Sequence, residues 1–504
     1  MSPYLAYTLM FTAPIFHGKP QDTTLLIGAQ IMLGYSSSRS QTGIHRAMSE
    51  MSERNPMRDA LVQLRCHFTW DLPREDLDLP DLEDRILQEI TFLGTKFSVG
   101  IYSTLAYVKH LKRQNEEALE SLRRAEELIQ QDHGEQAEIQ SLVVWGNYAW
   151  IYYHMGRLLE AQTYLDKVEE SCMVLSSPSR YRVELPEIDC EEGWALLKFG
   201  GRYYERARDC FQKALQLEPD NPEFNTGFAI VMYRLDSYFQ GDPHSVSLEP
   251  LRRAVRLNPE DAYIKALLAL KLQEQNPEEG ERYIEEALKA RSSQPYVFRY
   301  AAKFYRIKGS LEKALHFSKL ALQEIPSSAL LHHQMGLCYK DQMLQIKRTL
   351  KSHPQRRELF DRIIALALRH FKKAIEYKPQ FVLAYIDLAK MYAEAGDYTN
   401  AEENFQRVLH MEQLEDVRRQ EIHYYYGRFQ EFHRRSEDNA LHHYLEGLKI
   451  EKETYVRSLL LTAMRKLAAK QVRQGYIFVT SLCSCGCVPK RPSQKVEALQ
   501  VGGI

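Results

Sequence analysis

Apolar positions recur along this chain with a helical period, and they come in pairs of helices joined by short turns. The stretch CEEGWALLKFGGRYYERARDCFQKAL, Cys190 to Leu215, shows the unit most fully. It predicts a helix, a tight turn at Gly200-Gly201 and a second helix stopped by Pro219. Trp194, Ala195, Ala207, Phe211 and Ala214 stand at the spacings of a tetratricopeptide repeat. Upstream, Tyr102, Ala106, Ala118, Leu122 and Ala125 predict one hairpin, and Trp145, Ala149, Tyr152, Gly156, Ala161 and Leu165 a second. Downstream, one weaker unit ends at Ala254 and Pro259 and another runs from Tyr263 to Ala287. Stronger copies follow at Ala302 to Pro326, Ala389 to Phe405 and Gly427 to Tyr444. Between them, Gly336 and Tyr339 are separated from Ala367, Phe371 and Ala374 by the charged stretch KDQMLQIKRTLKSHPQRRELFD. Pro354 is its one breaker, so the stretch predicts lengthened helices.

One such pair cannot bury its own apolar faces, so the copies must stack. The expected fold is all-α, a tetratricopeptide-repeat superhelical solenoid of antiparallel helix pairs with its function on the concave surface. Three repeat segments are expected, at 57–240, 241–340 and 341–472. Residues 1–56 lack a sustained period and read as a disordered extension, with Met48 or Met51 as an alternative start; residues 473–504 read as an irregular tail. In that tail Cys483, Cys485 and Cys487 alternate without partners at zinc spacing, so no metal site is expected.

The formal net charge of -1 excludes a uniformly basic nucleic-acid binder, so any basic site must be local. Eight scattered cysteines suit a reducing, cytoplasmic setting rather than a disulfide framework. The apolar runs Tyr4–Phe16 and Thr24–Tyr35 are too short or interrupted to span a bilayer, and neither a signal peptide nor membrane association is expected. No GxxxxGK[ST], HExxH or GxSxG motif is present, which argues against an enzyme, and no cofactor is expected.

The pattern that could carry chemistry is cationic and aromatic. Trp194 and Lys198 lie one helical turn apart, suited to an anion that bears a stackable base. The alternative is a core tryptophan beside a solvated lysine. On YVFRYAAKFYR, Arg299, Lys303 and Arg306 form one stripe, whose mutual repulsion is tolerable if an anion sits among them. Arg234 follows an aromatic residue, and Arg256 and Lys265 flank the Pro259 turn. These cations either converge on the concave face to hold phosphates or form ordinary surface ion pairs. His332, His333 and Gln334 are either satisfied polar groups or readers of a nucleotide.

LRCHFTW (64–70), PDLEDRI, YVKHLKRQNEEAL, WGNYAWIYYHMGRLLEAQTYLDKVE, PEIDCEEGWALLK and YVFRYAAKFYR together resemble the interferon-induced proteins with tetratricopeptide repeats, over residues 59–472. The resemblance implies a cytosolic antiviral RNA sensor. Such a protein binds the 5′ end of single-stranded RNA, a triphosphate or a cap lacking 2′-O-methylation, in a basic tunnel and withholds it from translation initiation. By position, Trp194 would stack on the cap base beside Leu93, Thr95, Leu197 and Ile230, with Glu223 and Asp261 near the base edge. Arg85, Lys198, Arg234, Arg299 and Lys303 would hold phosphates and early backbone. Tyr204 and Arg234 would crowd the first ribose, and Tyr263, His333 and Gln334 would meet later nucleotides.

Three departures from the family pattern stand out. Glu89 replaces a glutamine against the triphosphate, where a carboxylate repels phosphate, and Asp261 replaces an amide. The final family repeat, which supports pairing with sibling members, is missing after Arg473. Two rival readings are a protein-interaction scaffold and a paralogue that folds without binding RNA.

Overall fold

The computed structural model describes residues 56–72, 77–93, 98–132, 137–238, 246–273, 275–290, 294–349, 356–412 and 414–473. Residues 1–55 of the expected 1–56 extension, residues 474–504 of the expected 473–504 tail with its three cysteines, and Pro354 lie outside them, while residues 56 and 473 are helical. The chain divides into Met1–Gln63 and Leu64–Ile504. In the first unit residues 56–61 are helical and Leu61 is buried. All that follows concerns the second unit.

The regular secondary structure among the described residues of that unit is helical, with no strand. A leading helix α1 (Leu79–Leu93) precedes the pairs α2 (Ser98–Leu111) with α3 (Asn115–Asp132) and α4 (Ala137–His154) with α5 (Leu158–Val174). Next come α6 (Pro186–Lys198) with α7 (Tyr204–Leu217), α8 (Pro222–Tyr238) with α9 (Leu248–Leu257), and α10 (Ala262–Leu272) with α11 (Pro277–Lys289). Then α12 (Gln294–Ile307) pairs with α13 (Leu311–Glu324), α14 (Ala329–Thr349) with α15 (Arg356–Tyr377), and α16 (Val382–Ala395) with α17 (Tyr398–Leu409). The chain continues through α18 (Asp416–Phe429), α19 (Glu437–Lys449) and α20 (Tyr455–Arg473). The charged insertion lengthens α14 and α15 to 21 and 22 residues, as its composition predicts.

The repeat spacing works through close contact between small and aromatic residues. A Cβ on Gly227 of α8 would lie 2.2 Å from the ring of Phe211 on α7, so glycine lets the two helices approach with the fully buried ring between them. Turns and caps set the helix ends. Gly396 ends α16 with φ 81°, a left-handed conformation that glycine adopts without strain. Asp261 caps α10 by accepting from the Ile264 amide at 3.0 Å. Among the described residues no helix is long and apolar enough to cross a membrane.

Two long-range ties position the helices that matter below. The LRCHFTW segment packs its polar members inward. His67 meets Thr104 at 3.0 Å and Asn147 at 3.2 Å, and burial pushes its imidazole down to about 3, so it is neutral. Arg65, in the same segment, donates to Asp189 (2.7 Å) and Glu192 (2.9 Å) on α6 and to Glu184 (2.8 Å) just before it, which fixes α6 in rotation. The second tie is at α1, which folds back against α12 and whose Asp81 meets Lys378 at 2.6 Å just after α15. A contact across nearly three hundred residues therefore walls in the space beside the first helices.

Candidate functional site

The first helices of successive pairs, α6, α8, α10 and α12, present one side chain set to a common cavity of about 910 Å3, and α1 closes it. Twelve of the residues singled out in the sequence line it: Arg85 and Glu89 from α1; Trp194, Leu197 and Lys198 from α6; Tyr204 from α7; Glu223, Ile230 and Arg234 from α8; Asp261 and Tyr263 at α10; and Arg299 from α12. The helical period explains the convergence, since each concave-facing helix repeats the same outward stripe.

Trp194 is neither a core residue nor a free surface ring. Its indole stands edge-on to Phe211, with centroids 5.3 Å apart, and the Lys198 ammonium lies 5.8 Å from its centre. The ring takes part in the cavity lining, with that cation beside it.

The predicted cations divide into two kinds. Arg85 is matched by Asp81 at 3.0 Å, and Lys198 is bonded to Glu89. Arg234, Arg299 and Lys303 have no carboxylate partner among the described residues. Arg234 donates to the Tyr263 hydroxyl (3.3 Å), and Arg299 donates to the Tyr300 hydroxyl (2.8 Å) and lies over the Tyr296 and Tyr300 rings (5.2 and 4.7 Å). Burial and the neighbouring guanidinium groups hold the Lys303 ammonium below its ordinary range. Half-buried cations whose polar contacts are phenols rather than carboxylates can accept an anion.

The opposite wall is acidic. Burial raises the carboxyl of Glu191 to about 8 and that of Glu223 to about 7, the latter moderated by hydrogen bonds from Trp194 and Cys190. Burial also raises Glu187 and Asp261. The cavity thus runs from a cationic, phenol-lined end to a carboxyl-rich end around the Trp194 ring. Such a gradient suits a ligand with phosphates at one end and a base with N–H donors at the other.

The remaining predicted residues fall elsewhere. Gln334 donates to the Arg299 carbonyl at 2.8 Å, bracing α12 from α14, and His333 bonds to Asp387 at 3.0 Å; neither lines the cavity. Lys303 also stands behind the wall. Arg306 leaves the predicted stripe to pair with Asp341 at 2.7 Å, and Lys265 pairs with Glu286 at 3.0 Å. Thr95 and the side chain of Leu93 lie outside the described residues. Sequence reasoning passed over Tyr296, Tyr300, Glu187 and Glu191. The first two were signalled by their places three before and one after Arg299, on the helix already marked as cationic.

Tetratricopeptide-repeat family models match residues 142–171 and 363–416. Protein IFIT1 homolog B of Homo sapiens is 58% identical over 457 residues, 90% of this chain and 96% of that relative. This chain belongs to the family of interferon-induced proteins with tetratricopeptide repeats, the IFIT family. A second IFIT relative, the human antiviral innate immune response effector IFIT1, is 56% identical over 458 residues, again 90% of this chain and 96% of that protein. Among solved structures, an IFIT1 monomeric mutant with Gppp-AAAA matches with a TM-score of 0.79 at 57% identity, covering 86% of this chain and 95% of that one. A human IFIT1 dimer with PPP-AAAA matches with a TM-score of 0.73 at 55% identity, covering 83% and 92%.

Proposed function

We propose that this IFIT-family chain binds the 5′ end of single-stranded RNA in the α1–α12 cavity and holds it away from translation initiation, in the cytoplasm and without chemistry. The observation that carries the reading is the pair Arg234 and Arg299, half-buried at the cavity wall with phenols and no carboxylate partner among the described residues, in the same lining as Trp194. Phosphate suits these cations, and guanidinium groups bind it in a fork. The solved relatives with Gppp-AAAA and PPP-AAAA point to the same ligand class.

In this reading the cap base stacks on Trp194 against Leu197 and Ile230, and Leu93 and Thr95 keep the cap-binding role that the family resemblance assigns them. The Glu223 carboxyl, and Asp261 beside it, accept from the base edge. The triphosphate bridge runs toward Arg85, Lys198, Arg234 and Arg299. Tyr204 and Arg234 crowd the first ribose, so an added 2′-O-methyl group both clashes and removes a donor. Lys303, His333 and Gln334 act on later nucleotides from behind the wall. Glu89, already bonded to Lys198, sets the balance between ends: it disfavours a bare triphosphate more than a cap, whose bridging phosphates carry less charge. Sibling family members and the translation machinery are the protein partners this reading implies.

A capped oligonucleotide with a photoreactive guanine tests the reading. Crosslinking to the peptide that contains Trp194, competed by unmodified capped RNA and not by hydroxyl-ended RNA, is the expected result. Crosslinks confined to peptides outside α1–α12 would overturn it.

A further inference from the structure

Tyr300 touches no part of the cavity surface, yet it sits where the site's positive charges meet. Its hydroxyl accepts from Arg299 at 2.8 Å and lies 3.3 Å from the Tyr263 hydroxyl, which itself accepts from Arg234 at 3.3 Å. Lys303 follows one turn along α12. The ring is 5% exposed, so water screens little of this. From α8, Tyr233 also faces the cluster. Two carboxylates reach this corner: Glu89 on α1 bears on Tyr296 and is itself bonded to Lys198, and Asp236 on α8 bears on Tyr233 and is itself paired with Lys271 at 2.7 Å.

Arg234, Arg299 and Lys303 are half-buried, repel one another and have no carboxylate partner among the described residues, so an anion among them relieves that repulsion. The groups in contact that can become anions are phenols. Each of the two central ones accepts from a guanidinium, but Tyr300 does so at 2.8 Å against 3.3 Å for Tyr263, and Tyr263 can donate its own O–H to Tyr300. Those arrangements stabilise an oxygen anion at Tyr300 and a neutral Tyr263.

We infer that in the ligand-free protein Tyr300 is ionised and serves as the internal counter-ion of Arg234 and Arg299, and that the phosphates of an incoming RNA 5′ end take over this role while Tyr300 recovers a proton from solvent. The step balances: one phenolate and one solvent proton give one phenol, and no covalent bond to the ligand forms. The neighbouring guanidinium groups hold the Tyr300 hydroxyl at about 7 against burial, whereas burial and the adjacent Tyr300 charge keep Tyr263 well above its ordinary range despite the same guanidinium groups. Ionisation at Tyr300 therefore falls near neutral pH. Above about 7 each bound phosphate chain must return a proton to the site, so the apparent affinity for an anionic end falls with rising pH, by up to about tenfold per unit.

The inference rests on the functional reading for its second half only, and the test separates the two. The readout is the near-ultraviolet absorbance of tyrosinate in the full chain, because Glu191 and Glu223 also titrate in this range at the other end of the cavity and would mix into any affinity profile. Without RNA, a titration is expected to show one tyrosine ionising with a midpoint near 7, absent in Tyr300→Phe and moved upward in Tyr263→Phe, which lacks the supporting donor. Adding Gppp-AAAA at pH 8 is expected to abolish the signal; its unmethylated base and bridging phosphates do not titrate there. No tyrosine ionising below the ordinary range in the ligand-free chain, or a signal that survives in folded Tyr300→Phe, would overturn the counter-ion assignment. A signal unchanged by RNA that a separate filter assay shows to be bound would overturn the displacement. Failure of the RNA to bind at all would instead reject the functional reading, leaving the counter-ion standing on the ligand-free titration.

Discussion

The carboxylate of Glu89 on α1 is bonded to the ammonium of Lys198 on α6, inside the cavity and one turn beyond Trp194. The pair neutralises a cation in the phosphate path and sets a carboxylate beside it. Glu89→Gln is expected to raise affinity for triphosphate RNA by roughly tenfold, ~1.4 kcal/mol, the scale of one partly screened charge. Capped RNA should gain less. Fluorescence anisotropy with both RNAs checks this, and unchanged triphosphate affinity would mean that Glu89 does not face the phosphates.

Trp194 lies at the cavity wall rather than at the centre of a helix pair, so its truncation should spare the fold. Trp194→Ala is expected to weaken capped RNA by roughly 1–3 kcal/mol, the usual range for a lost base stack, with an unchanged circular dichroism spectrum. Unfolding on substitution would return the ring to a core role.

Gly227 and Phe211 make the opposite case, a contact that belongs to the fold. Gly227→Ala puts a Cβ 2.2 Å from the ring, and backbone must move to relieve it. Destabilisation of about 1–3 kcal/mol is expected in urea denaturation. A midpoint equal to the parent's would show that α7 and α8 have slack at this crossing.

Glu191 and Glu223 give a pH signature. Burial holds their carboxyls at about 8 and about 7, so below these values the folded chain keeps protons that the unfolded chain has released above the ordinary carboxylate range. Their contribution to stability therefore falls as pH rises and levels off past 8. Against the parent, Glu191→Gln removes the larger part, and its melting temperature relative to the parent's should rise from pH 5 to pH 8. The limiting slope is about 1.4 kcal/mol per pH unit. A difference that stays constant across that range would contradict the burial of this carboxyl. Comparing the two proteins cancels the opposing titration of His67, His370 and Tyr300.

The repeat frame was legible because alternation of small and large residues, as at Gly227 and Phe211, is written locally in sequence. So was the gathering of Trp194, Lys198, Arg234 and Arg299, since stacked first helices repeat one outward stripe. Charge pairing was not legible, because it depends on which helix arrives opposite. Arg306 finds Asp341 and Arg299 finds no carboxylate, although both lie on one stripe of α12. The Asp81–Lys378 contact that brings α1 across the cavity joins segments with no periodic relation. Tyr300 escaped notice for a further reason: its chemistry comes from neighbours on three helices, and its own sequence position reads as packing.

The central claim is that the cavity selects RNA by its 5′ end. The most direct measurement is equilibrium binding of the full chain to one short RNA carrying four ends in turn: triphosphate, cap with unmethylated ribose, cap with 2′-O-methylated ribose, and hydroxyl, all at one stated salt concentration. Tightest binding to the unmethylated-ribose cap, weaker binding to the triphosphate and the methylated cap, and weakest binding to the hydroxyl end is the predicted order. Equal, weak binding to all four would contradict it and would leave Arg234 and Arg299 without a phosphate to hold.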